Sequence, residues 1–77
     1  MEYIATFFSH FGATRFAKNL KAQQIEAKTT PVPRRVSASC GSCVRFQAED
    51  FSPFLSEDVE AIFADDAGEL KKVYSNF

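Results

Sequence analysis

Ser56-Glu57-Asp58-Val59-Glu60-Ala61-Ile62-Phe63-Ala64-Asp65-Asp66-Ala67-Gly68 is the stretch that decides how this 77-residue chain folds. Ser56 is a suitable helix N-cap, and Glu57 and Asp58 would complement the positive end of the helix dipole. Val59, Ile62 and Phe63 recur at helical spacing as an apolar stripe, and Gly68 is a fitting terminator. The stretch therefore predicts a second α-helix, followed by a last strand over residues 70–77.

Upstream of it, residues 43–48 alternate, with Val44, Phe46 and Ala48 on one side and Arg45 and Gln47 on the other. That pattern gives a strand with one covered face. Residues 33–42 form a loop, and residues 27–32 form a strand whose Pro31 lacks a ladder donor and so belongs at a sheet edge. Between residues 11 and 24, Ala13, Phe16, Ala17 and Leu20 mark an amphipathic helix, capped by Ser9. Residues 3–8 are apolar and aromatic, as in a buried strand.

The resulting order is strand, helix, strand, strand, helix, strand. Its simplest closed solution is an α+β, ferredoxin-like split βαβ arrangement (βαββαβ), with a four-stranded antiparallel sheet in order 4-1-3-2 and both helices on one face. The whole of residues 1–77 makes one small domain. In this arrangement Phe7 and Phe8 point to opposite faces, so one of them would help form an aromatic patch on the uncovered face. The patch predicts a homodimer.

A chain this short has a thin core, and nine phenylalanines supply large buried areas within it. No run approaches the roughly 20 apolar residues that cross a bilayer, and the N-terminus lacks the pattern of a signal peptide. The expectation is a cytoplasmic protein without membrane partners. Net charge is −1. Residues 15–45 are basic apart from Glu26, and residues 49–69 are acidic. Such halves can steer partners or pair with each other within a dimer, although solvated helix faces of opposite sign are the simpler reading. A basic stripe without a basic whole or a binding motif does not support nucleic-acid binding.

The chemical signal is Ser39-Cys40-Gly41-Ser42-Cys43, just after Arg34-Arg35. The predicted topology gathers Ser9, His10, Arg34, Arg35, Cys40 and Cys43 at one end of the sheet. Cations and a helix N-terminus there would favour a thiolate, and Gly41 would let the backbone turn sharply or approach a ligand. Cys40 is the candidate nucleophile, with Cys43 a resolving thiol or a packing residue. Two cysteines are half of a structural zinc site, with His10 a conceivable third ligand, and a thioredoxin-type pair would open a helix instead of a strand. No metal or other cofactor is expected. Unused thiols are also compatible with the pattern.

The segment Pro31-Val32-Pro33-Arg34, followed by Ser37, Cys40-Gly41 and Val44-Arg45-Phe46, resembles the selenium/sulfur carrier-like family of small bacterial domains, as do Tyr3-Ile4-Ala5-Thr6-Phe7 and Ser9-His10. The resemblance implies a protein that holds sulfur or selenium on Cys40 as a persulfide or selenosulfide, with Arg34, Ser37 and Gly41 around it. Protein donors and acceptors would be its partners. Cys43 lies outside the family's pattern and keeps a dithiol role open. The other reading is a small self-associating regulatory domain with incidental or redox-sensing thiols.

Overall fold

The computed structural model describes residues 1–36 and 38–76. Its elements are β1 (Glu2–Phe7), α1 (His10–Ala22), β2 (Ala27–Pro31), β3 (Ser42–Gln47), a 3₁₀ turn (Ser52–Phe54), β4 (Val59–Asp66) and β5 (Glu69–Ser75). The strands form one sheet in the order β2-β3-β1-β4-β5, antiparallel at every pairing.

The side chains of β1 alternate as strand geometry requires. Tyr3, Ala5 and Phe7 join Val44 and Phe46 of β3 and Ile62 of β4 in the hydrophobic core. Ala13, Phe16, Ala17 and Leu20 of α1 close that core from one side. Its centre is a chain of rings: Phe7 lies 5.1 Å from Phe16, Phe16 lies 5.5 Å from Phe46, and Phe46 lies 6.1 Å from Phe54. Each fully buried ring contributes about 2–3 kcal/mol relative to exposure, which is how so short a chain sustains a core.

The ends of α1 are both closed. Ser9 Oγ accepts the Gly12 N–H at 3.2 Å, as the sequence predicts for an N-cap. At the other end the Gln24 N–H donates to Lys21 O and the Ile25 N–H to Leu20 O, a Schellman closure with Gln24 at φ 62°. Gly12 is set by crowding, since a Cβ there would stand 2.9 Å from Asp58 Cβ.

The stretch 56–68 does not form a helix, and the four-stranded, two-helix ferredoxin-like arrangement is replaced by five strands and one α-helix among the described residues. The reason lies in how much of the stretch is buried. A helix would hide one stripe, whereas β4 is paired to β1 on one edge and β5 on the other, and buries Val59, Glu60, Ala61, Ile62 and Ala64. The near-continuous apolar run Ala61-Ile62-Phe63-Ala64 is the signature of a strand covered on both faces. Gly68 belongs to a two-residue hairpin turn. Ala67 and Gly68, at φ 53° and 88°, link the paired residues Asp66 and Glu69, as a type I′ turn demands. The new strand enters between the first and the last, so the expected order 4-1-3-2 does not form. The expected edge position of β2 does hold, where Pro31 interrupts no ladder.

The face of the sheet turned away from α1 is also closed. Ile4, Thr6 and Cys43 project from it and are each 0% exposed. The chain between β3 and β4 contributes Phe51, Phe54 and Leu55 to the α1 side, so it does not cover them. The described residues of the segment 32–41, all but residue 37, do so as one piece. It leaves β2 and reaches β4 and the β4–β5 turn, and in this strand order it must cross β1 to do so. We call it the strap. Of the two phenylalanines expected on opposite faces, Phe7 lies in the α1-side core with Tyr3, and Phe8 is 42% exposed.

The hairpin predicts a stabilising substitution. An L-residue in the left-handed region costs about 1–2 kcal/mol, and asparagine tolerates that region better than alanine. Ala67→Asn should raise stability by roughly 0.5–1 kcal/mol in denaturant unfolding. A helix through Ala67 would instead lose stability on this change.

Candidate functional site

The strap starts from a β-turn in which the Val36 N–H donates to Pro33 O at 3.0 Å. Arg34 and Arg35 occupy the exposed tip of that turn, and Val36 behind them is buried. At its return the strap is fastened twice. The Ser39 N–H donates to Glu60 Oε1 at 3.0 Å and Ser39 Oγ donates to Glu60 Oε2 at 2.5 Å. Two residues on, Gly41 O accepts the Val32 N–H at 3.0 Å. Cys40 stands between these two ties, partly exposed, with a free thiol.

Glu60 was not legible as a site residue, because in a helix it would lie on the solvent face. In the structure it occupies a β-bulge. Thr6 pairs with Ala61 and Phe7 with Val59, so Glu60 is the extra residue. A bulge re-aims a side chain out of the strand's alternation, and here it delivers a carboxylate to the strap. The sequence signal available was the lone charge inside the apolar run Val59–Ala64.

Cys43 differs from Cys40 in every physical respect. It is 0% exposed, pairs with Thr6 and Thr30 across the sheet, and its thiol sits 3.3 Å from Thr30 Oγ1 and 3.7 Å from Pro31 O. This is a small side chain filling the strap-covered face, the packing role. Neither cysteine is in a disulfide. Among the described residues no group of three or more His, Cys, Asp or Glu side chains could hold a metal ion.

Of the two arginines, Arg35 is directed away from the tie beside Cys40. The Arg35 guanidinium donates to Gly68 O at 2.7 Å, in the β4–β5 turn. Glu60, which holds the residue preceding Cys40, lies near the start of β4, eight residues before Gly68 and close to the other end of the strand. Through its bond to Gly68 O, Arg35 fastens the strap to the β4–β5 turn. His10 begins α1 at the same end of the sheet as Cys40 and is exposed. Gly41 has neither a positive φ nor a crowded α-carbon: a Cβ there would meet nothing within 4 Å. Ser37 lies outside the described residues.

The opposed charges of the two halves of the chain meet within one molecule. Arg15 pairs with Asp58 at 2.7 Å, and Arg45 bridges Glu2 and Asp65 at 3.2 and 3.4 Å, tying β1, β3 and β4 together. These are exposed or half-exposed pairs worth at most about 1 kcal/mol each.

A one-helix antiparallel sheet that presents a single accessible thiol between two backbone ties, without a metal cluster among its described residues, defines a small thiol-presenting protein. Residues 2–75 match the family described as "Putative Se/S carrier protein-like", and the chain belongs to that family. No curated protein and no solved structure matches it. No helix is long and apolar enough to cross a membrane.

The two thiols should separate cleanly in a labelling experiment. In the native protein iodoacetamide should modify Cys40, as located by peptide mass spectrometry. Cys43 should react at least about 100-fold more slowly, since its exposure requires opening of the sheet.

Proposed function

We propose that the protein carries sulfur or selenium on Cys40 and hands it to a partner protein. The observation that carries this reading is the division of labour between the two cysteines: only Cys40 reaches solvent, in a chain that belongs to a carrier-like family. In the sulfur case the Cys40 thiolate attacks the outer sulfur of a donor persulfide. A new S–S bond forms on Cys40, the donor's S–S bond breaks, and the donor leaves as a thiolate. No external oxidant or reductant is required. Transfer to the acceptor is the same exchange in reverse, with the acceptor thiolate attacking the outer sulfur. Selenium would follow the same course as a selenosulfide.

The surroundings of Cys40 favour exchange with another protein over turnover of a small molecule. A surface groove of about 460 Å³, lined by Arg15, Phe16, Asn19 and residues 53–58, is built from α1 and the chain before β4, away from the strap. Gly41 leaves the space beside Cys40 open for a partner's backbone. Arg34 and Arg35, exposed at the strap tip, would meet the partner, and His10 is placed to do so at the other end. Cys43 is too deeply enclosed to resolve a persulfide without local opening.

Intact mass after incubation with a cysteine desulfurase and cysteine tests the carrier reading. One added sulfur atom, located on Cys40, removed by dithiothreitol and absent from Cys40→Ser, is the expected result. Unchanged mass would leave the small regulatory domain as the better description. Gly41→Ala should keep wild-type stability within about 0.5 kcal/mol, since its Cβ meets open space, and should slow sulfur acceptance from the desulfurase severalfold.

A further inference from the structure

We propose that Glu60 is the positioning residue of Cys40, clamping the chain beside the thiol so that its approach geometry is fixed; the part about transfer rests on Cys40 being the carrier. Glu60 is 4% exposed, and a carboxylate so enclosed needs its oxygens satisfied. Both are satisfied by one residue, through the backbone N–H and the hydroxyl of Ser39. Two bonds to the two oxygens of one planar group set orientation as well as position.

Covering the sheet does not by itself require this arrangement. An apolar residue at position 60 would seal the same face, and Ser39 is exposed. The bulge at Glu60 breaks the regular pairing of β1 with β4, and what it provides is a carboxylate aimed at the residue preceding Cys40. On the other flank the Val32 N–H holds Gly41 O. Cys40 is thereby fixed from both neighbours while its own thiol stays partly exposed.

The test uses Glu60→Gln, Ser39→Ala and Ser39→Thr in the full chain. Glutamine can accept the Ser39 N–H with its oxygen and donate its NH₂ to Ser39 Oγ, but it loses the carboxylate charge that strengthens both bonds. Alanine at 39 removes the hydroxyl bond, and threonine keeps it. Three quantities are read: alkylation rate at Cys40, hydrogen exchange of the amides at 39–41, and melting temperature. Glu60→Gln should speed both alkylation and exchange by about tenfold, equivalent to about 1.4 kcal/mol of lost restraint. Ser39→Ala should move both in the same direction by a smaller factor, and Ser39→Thr should restore wild-type values.

A lower melting temperature with unchanged native-state alkylation and exchange would assign Glu60 to stability alone and overturn the proposal. Should Glu60→Gln fail to fold, Ser39→Ala, made at an exposed side chain, decides by the same criteria. Neither readout needs a sulfur donor, so the clamp stands or falls separately from the carrier reading. If Cys40 accepts sulfur, Ser39→Ala should also slow transfer from the loaded protein severalfold, and Ser39→Thr should restore it.

Discussion

A five-stranded sheet has two faces, and this chain supplies one α-helix to cover them. The α1 side takes the aromatic core. The opposite side carries Ile4, Thr6 and Cys43, which are as fully buried as any core residue. Some other part of the chain must exclude water from them, and the strap between β2 and β3 is that part. Its fastening to β4 and to the β4–β5 turn is the constraint on which the rest depends. Without the strap β1 would expose an apolar face along its centre, and a small domain has little stability to spare.

The same constraint produces the site. A segment that crosses a sheet must return to begin β3, and Cys40 lies on that return. Because Ser39 is held by Glu60 and Gly41 by Val32, the thiol between them is presented on an ordered piece of chain. Loops positioned by a rigid scaffold are where binding and chemistry concentrate. Here the loop is also part of the scaffold. Motions of Cys40 are therefore coupled to the cover of the sheet, and a partner that displaces the strap would have to expose Ile4 and its neighbours.

Charge plays a local part. Parts of the basic and acidic segments come together within the molecule, as Arg15 with Asp58 and as Arg45 with Asp65, which Arg45 holds along with Glu2. The Arg35 guanidinium, adjacent in sequence to the loop of the thiol, is carried to the far end of β4. Nearness in sequence did not mean nearness in space, because the strap runs along the sheet before it turns back.

Local physics sufficed for β1, α1, β2 and β3. Their alternation, the Ser9 cap and the edge demanded by Pro31 are properties of a few adjacent residues, and so was the distinction of Cys40 in the loop from Cys43 on a strand. Residues 56–68 were different. Val59, Ile62 and Phe63 satisfy a helical stripe, yet the run Ala61–Ala64 and the Ala67-Gly68 turn satisfy a two-sided strand equally well. Only the partners decide between them, since β4 gains its burial from its hairpin neighbour β5 together with β1 and the strap, both distant in sequence. The role of Glu60 was hidden for the same reason. A carboxylate in an apolar run looks solvent-facing until the bulge that turns it and the serine that receives it are brought together by long-range pairing.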